Sequence, residues 1–133
     1  MSDAPRRQPA FEKHSETYVL FRRAVWFLER GHPSQAALLL EAALALEPGR
    51  NSIREALGRA LFALGQFGRA ATQFEAIVAD VPDSDYAQYA LGRCLVKLGR
   101  GEEGRGRFRL AAALAPERHL YREAPGGIGG DET

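Results

Sequence analysis

The sequence predicts an all-α protein, an α-solenoid built from three antiparallel helix hairpins. The chain resembles itself at an offset of 34 residues, and its apolar side chains recur at spacings of three and four. No segment alternates with a period of two for long enough to form a strand. The offset defines three consecutive blocks, 17–50, 51–84 and 85–118. We expect residues 1–16 to form a flexible leader, and residues 119–133 to form a short cap and a glycine-rich flexible tail.

The internal repeat is clearest between the second and third blocks, which share ten identical residues at the 34-residue offset. In block two these include Leu57, Gly58, Leu61, Gly65, Phe74 and Pro82. The first block matches more loosely, with small, apolar, glycine and proline residues at the equivalent positions. A fixed period with such content is typical of stacked helical repeats, in which each hairpin buries its apolar stripe against a neighbour.

Each block is predicted to contain two helices. In block two the apolar residues of 52–64 form one helical stripe, and those of the following helix form another. Gly65 can end the first helix with a positive φ, and Pro82 ends the second. Glycines also occur inside the last predicted helix, where Gly104 and Gly106 are each expected to cost about 0.5 to 1 kcal/mol of stability relative to alanine.

These blocks resemble tetratricopeptide repeats (TPRs). Block two matches the family pattern with Leu57, Gly58, Leu61, Ala70, Phe74 and Pro82. Block three departs from it in having Gly104 in place of the alanine. The resemblance covers residues 17–118, about three quarters of the chain. It implies a TPR superhelix whose first helices line a concave face, and a short C-terminal capping helix for which Glu117 to Glu123 provides at most two turns.

Composition argues against several other classes of function. Lys and Arg total 18 against 17 Asp and Glu, and the net charge of +1 argues against a general nucleic-acid binder. The single Cys94 excludes an internal disulfide, and the three histidines lack the i, i+4 spacing of a metal site. Gly99, Gly101 and Gly104 spell the phosphate-binding G-x-G-x-x-G pattern, but a helix precedes them where that site needs a strand. We therefore predict a non-enzyme without metal or cofactor.

The ends of the chain indicate where the protein is found. The uncharged runs near them are too short to span a bilayer, and residues 1–11 lack the pattern of a signal peptide. We expect a cytoplasmic protein without membrane association. Arg outnumbers Lys 16 to 2, a bias typical of a GC-rich bacterial genome. Within the leader, Phe11 could fold back on Trp26.

The candidate binding site lies on the solvent side of the first helices, which the resemblance to TPRs assigns to the concave face. Aromatic and basic residues are concentrated there, and this is the composition of an interaction hot spot. Arginine can hold a carboxylate through two hydrogen bonds, so we expect a protein or peptide partner that carries acidic and apolar side chains. The predicted groove residues are Tyr18, Phe21, Val25, Glu55, Arg59, Phe62, Tyr86, Tyr89, Arg93 and Lys97.

The alternative interpretation of these positions is structural. Glu55 would pair with Arg59 at i, i+4, and the tyrosines would only pack between repeats. Within the TPR family, one branch holds the C-terminal carboxylates of heat-shock chaperones with a clamp of Lys and Asn. The positions of that clamp correspond to Phe21, Val25, Ala56, Tyr86 and Ala90 in this chain, so the resemblance does not extend to that activity.

Three other functions stay open. The protein could form a homodimer through a poorly capped last repeat if Leu120 and Tyr121 leave an apolar face uncovered. It could serve as a chaperone-like adaptor for secreted proteins, as some small TPR proteins do. Finally, six basic residues between Arg93 and Arg109 could attract nucleic acid, although a solvated basic surface explains them more simply.

Overall fold

The computed structural model describes residues 8–122, and every regular element within that range is a helix. The helices are α1 (Glu16–Glu29), α2 (Pro33–Leu46), α3 (Asn51–Ala63), α4 (Phe67–Asp80), α5 (Asp85–Lys97), α6 (Gly101–Leu114) and α7 (His119–Arg122). The all-α solenoid of three hairpins is therefore confirmed. Residues 1–7 of the predicted leader and residues 123–133 of the predicted tail lie outside the described residues.

Local sequence signals determine where the helices begin and end. Ser15 caps α1 by accepting a hydrogen bond from the Tyr18 amide at 3.0 Å, and Ser84 caps α5 in the same way. Within the hairpins, Gly31, Gly65 and Gly99 separate the two helices and have φ values of 78°, 77° and 84°. Residues with a side chain rarely adopt such φ values. The positions of these three glycines therefore determine where each hairpin turns.

The helices pack in chain order. Each first helix lies against the second helix of its own hairpin, and each second helix also contacts the first helix of the next hairpin. One cluster of buried side chains runs through α1 to α5, and a second surrounds Tyr89, Phe108, Ala111 and Tyr121 at the C-terminal end. This continuous core holds α1, α3 and α5 side by side, which positions the candidate site.

Close approaches within two of the hairpins depend on glycine. A Cβ atom on Gly58 would lie 2.6 Å from the Phe74 ring, and one on Gly92 would lie 2.7 Å from the Phe108 ring. A Cβ atom on Gly104 would lie 2.8 Å from the carbonyl oxygen of Gly92, whereas Gly106 has nothing within 4 Å. Gly104 therefore has a role in packing beside its cost in helix propensity, because the close approach of α5 requires its small size, whereas Gly106 lies in open space.

The short helix α7 covers the end of the last hairpin. The Tyr121 side chain is 1% exposed, and its ring centroid lies 5.1 Å from that of Tyr89. Its hydroxyl donates a hydrogen bond of 2.6 Å to Asp85 at the start of α5. Of the two residues expected to act as the cap, Tyr121 does so, whereas Leu120 is 52% exposed.

The expectation that Phe11 packs on Trp26 is wrong. The Phe11 ring instead lies 4.9 Å from the Phe21 ring and 5.8 Å from the Tyr18 ring. Trp26 is half exposed and stacks with Arg30, whose guanidinium carbon lies 4.0 Å from the indole centroid. Arg30, one helical turn after Trp26, thus provides the indole ring with a cation–π contact within the same helix.

Candidate functional site

A cavity of about 210 Å³ opens between α3 and α5. It is lined by Arg59, Phe62, Ala63, Phe74, Tyr86, Tyr89, Ala90 and Arg93. Half of the ten predicted groove residues therefore come together around one concavity. The helices that contribute them belong to the second and third repeats, so the cavity exists only because those hairpins are stacked.

Helical spacing explains which side chains reach the cavity. Arg59 and Phe62 are three residues apart on α3, and Tyr86, Tyr89 and Arg93 are separated by three and four residues on α5. Residues at these spacings project from one face of a helix. The cavity thus has aromatic walls with arginines on both helices.

The floor of the cavity comes from α4. Phe74 is 1% exposed, and its ring centroid lies 6.3 Å from that of Tyr86 in an edge-to-face arrangement. Phe74 belongs to the repeat core and also lines the cavity, because its ring reaches between α3 and α5. A ligand group that enters the cavity would therefore meet a surface held rigid by the core.

The two arginines are available for a ligand. The guanidinium carbon of Arg93 lies 4.4 Å from the centroid of the Phe62 ring and 6.0 Å from that of Tyr89. Neither Arg59 nor Arg93 has a carboxylate within 4.0 Å among the described residues. Stacking orients the Arg93 guanidinium and leaves its N–H groups unused by acidic groups of the chain.

The structural alternative for Glu55 is not supported by the geometry. In the described part of the chain, no ion pair within 4.0 Å joins its carboxylate to Arg59. Burial raises the pKa of Glu55 above its usual value, and the positive charge of Arg59 offsets part of that increase. Burial and the nearby Glu55 charge also raise the pKa of Tyr86, so its hydroxyl keeps its proton and can donate a hydrogen bond.

Four of the other predicted groove residues lie elsewhere. Tyr18 and Phe21 contact Phe11. Val25 lines a different cavity of about 440 Å³ along α1, together with Trp26. The ammonium nitrogen of Lys97 lies 5.8 Å from the centroid of the Phe67 ring. The ten residues thus do not form one continuous site.

Sequence reasoning missed the contribution of Phe67. Its ring centroid lies 4.9 Å from that of Phe62, which it supports from the start of α4. The third block has glycine at the equivalent position, Gly101, so comparison of the repeats provided no signal. The contact forms because the turn at Gly65 brings the start of α4 back against α3.

Metal-binding clusters, membrane-spanning helices and the single cysteine can be examined within residues 8–122. No group of three or more His, Cys, Asp or Glu side chains there could hold a metal ion, and no helix in that range is long and apolar enough to cross a bilayer. Cys94 is fully buried, and burial raises the pKa of its thiol to about 11. Because a thiolate is the reactive form of cysteine, this thiol is inert near neutral pH.

Comparison with known proteins identifies the family. A family profile described as "Tetratricopeptide repeat" matches residues 21–67 and 55–127, which together span most of the chain. The chain belongs to the tetratricopeptide repeat family. No curated protein matches it.

Solved TPR structures share the fold. The first TPR domain of Spaghetti (RPAP3), bound to an HSP90 peptide, is 18% identical with a TM-score of 0.75, over 80% of this chain and 84% of that one. A double mutant of MamA RS-1 is 25% identical with a TM-score of 0.78, over 84% of this chain and 62% of that one. YrrB, described as a TPR protein with an unusual peptide-binding site, is 19% identical with a TM-score of 0.76. The alignment covers 82% of this TPR chain but only 56% of YrrB.

Proposed function

We propose that this TPR protein is a non-catalytic interaction module, with residues 17–118 as its binding unit, which holds a peptide segment of a partner protein between α3 and α5. One observation carries the proposal. Arg59 and Arg93, which have no carboxylate partner among the described residues, border a cavity with aromatic walls. Such a site matches a segment in which an acidic side chain adjoins an apolar one.

The arrangement supports a division of roles. Arg93, held by Phe62 and Tyr89, provides oriented N–H donors for a carboxylate. The apolar side chain of the ligand enters the cavity above Phe74, where it replaces water against aromatic surface. Tyr86 offers a hydroxyl donor at the same edge. Arg59 is exposed, so it attracts the acidic segment over a longer range and strengthens association at low salt.

The solved relatives support a peptide as the ligand class. The RPAP3 domain is seen with a peptide, and YrrB is described by its peptide-binding site. The proposed ligand is not a heat-shock peptide. Phe21, Val25 and Tyr86 occupy the positions at which the family clamp has polar or charged residues. We therefore assign an internal acidic and apolar segment rather than a chain terminus.

Two alternatives receive less support from the contacts. Nucleic-acid binding through α6 would use basic side chains that already have partners, since Arg100 pairs with Glu103 and Arg105 pairs with Glu102. Self-association through an uncapped last repeat would need the surface that Tyr121 covers. Among the described residues, no carboxylate forms an ion pair with Arg59 or Arg93 at the α3–α5 cavity.

The test is selection from a random peptide library displayed on phage, with wild-type protein and a double variant, Arg59→Glu with Arg93→Glu. We expect the wild type to enrich peptides with Asp or Glu beside an aromatic or aliphatic residue, and the double variant to bind them at least tenfold more weakly. The control is Arg23→Glu with Arg109→Glu, which changes the net charge equally at exposed positions outside the cavity. Enrichment without acidic residues, or equal loss in the control, would refute the proposal.

A further inference from the structure

The described end of the leader is bound to the loop between α2 and α3. The side-chain amide of Gln8 donates a hydrogen bond of 2.6 Å to the Gly49 carbonyl oxygen and accepts one of 2.8 Å from the Asn51 amide. Arg50 donates a further hydrogen bond to the Pro9 carbonyl oxygen. Gln8 thus binds the loop as a neighbouring backbone segment would, through one donor and one acceptor.

Phe11 occupies an aromatic slot, formed by Tyr18, Phe21 and Arg50. Its ring contacts both aromatic rings, and the guanidinium carbon of Arg50 lies 4.2 Å from its centroid. The Arg50 side chain is only 13% exposed and also bonds to Glu47 at 2.9 Å. The arginine is therefore held in place by the loop, and the slot combines two aromatic rings with a fixed cation.

The opposite end of the solenoid has a related arrangement. Arg118 is equivalent to Arg50 two repeats later, and Tyr89 is equivalent to Phe21. There Tyr121 stacks on Tyr89 while the Arg118 guanidinium carbon lies 5.8 Å from the Tyr121 centroid. An additional aromatic ring thus occupies the same repeat positions at both ends.

The two rings differ in how firmly they are held. Tyr121 belongs to a helix, is 1% exposed and donates a hydrogen bond to Asp85. Phe11 is partly exposed and lies outside any helix, and its ring, unlike that of Tyr121, has no hydroxyl to donate a hydrogen bond. A segment of the same chain needs little intrinsic affinity to occupy the slot, because a short tether provides an effective concentration in the millimolar range. Phe11 is therefore held less firmly than Tyr121.

We propose that the aromatic slot is a binding subsite for an aromatic side chain of an extended peptide, and that residues 8–11 close it in cis until a partner segment displaces them. The preferred partner segment carries glutamine three residues before the aromatic residue, because Gln8 satisfies both the Gly49 and the Asn51 backbone groups. This subsite is independent of the α3–α5 cavity, since none of its residues lines that cavity.

The experiment uses the full-length protein and a synthetic peptide with the sequence of residues 5–13, blocked at both ends. Binding is followed by the backbone amide resonances of Phe21 and Asn51 in ¹⁵N-labelled protein. In the Phe11→Ala protein the aromatic slot is open while Gln8 still binds the loop, so we expect saturable shifts at Phe21 and, as the glutamine of the peptide displaces Gln8, at Asn51. In the wild type the same shifts should need about tenfold more peptide, because the tethered Phe11 competes.

Controls separate the slot from general effects. A peptide in which alanine replaces the phenylalanine should produce no shifts at Phe21, and Arg50→Ala introduced into the Phe11→Ala protein should abolish binding while helicity is retained. An unchanged amide spectrum away from the slot shows that the Phe11→Ala protein is folded. The proposal is overturned if that protein does not bind the peptide, or if the wild type binds it equally well.

Discussion

Two glycines of α6 should respond to alanine in opposite directions. A Cβ atom on Gly104 would lie 2.8 Å from the Gly92 carbonyl oxygen and 2.7 Å from a methyl carbon of Val96, and ordinary contact begins at 3.4 Å. The gap to the backbone oxygen is short by about 0.6 Å, and backbone cannot rotate away as a side chain can. Gly106 is also inside α6, but it has no neighbour within 4 Å.

The magnitudes follow from packing and helix propensity. Overpacking costs about 1 to 3 kcal/mol, and alanine recovers about 1 kcal/mol of helix propensity, so Gly104→Ala should lower the free energy of unfolding by about 1 kcal/mol. Gly106→Ala gains only the propensity and should raise the same free energy by about 0.8 kcal/mol. At roughly 4 °C per kcal/mol, the two variants should differ in Tm by about 7 °C.

Thermal and urea unfolding followed by circular dichroism measure both changes. The pair controls itself, because each variant adds the same methyl group to the same helix. A Gly104→Ala protein at least as stable as the wild type would show that α5 and α6 are not in close contact. A destabilised Gly106→Ala protein would show that this position is not open.

The remaining predictions concern a partly buried carboxyl and the C-terminal cap. Because the pKa of Glu55 is raised in the folded state, its contribution to stability is present at low pH and is lost as the pH rises through that pKa. Glu55→Gln should therefore raise the free energy of unfolding at pH 7 and change it little at pH 4, as measured by urea unfolding, and an equal change at both pH values would contradict this reasoning. Tyr121→Phe removes a hydrogen bond to Asp85 and should cost about 1 kcal/mol, and Tyr121→Ala should cost about 3 kcal/mol. Leu120→Ser, at the exposed neighbour, should cost less than about 0.5 kcal/mol, and equal losses at both positions would contradict the capping role of Tyr121.

The fold was predictable because its signals are local and repeated. Gly65 and Pro82 mark turns that depend on φ angles and missing amides, which a sequence shows directly. Stacking then follows from the 34-residue period, since each hairpin has one apolar stripe to bury. The cavity residues Arg59, Phe62 and Arg93 were identified through the resemblance to TPRs, which assigns their positions to the concave face of the first helices.

The remaining features depend on contacts between distant parts of the chain. Phe11 precedes the first repeat and has no periodic partner, so the sequence could not indicate whether it meets Phe21 or Trp26. Helix propensity describes Gly104 as a defect, and only the distance to Gly92 shows why a larger residue does not fit. The sequence offered both Leu120 and Tyr121 as the cap, and only the burial of Tyr121 and its hydrogen bond to Asp85 distinguish the two.

The buried thiol of Cys94 has a practical consequence. This residue is the single cysteine of the chain, and because burial raises its pKa to about 11 we expect it not to react with thiol reagents near neutral pH in the folded state. A cysteine placed at Ser52, which is exposed on α3, would accept a maleimide dye selectively without removal of the native sulfur. The fluorescence of that dye would then report when the face shared by α1, α3 and α5 is occupied.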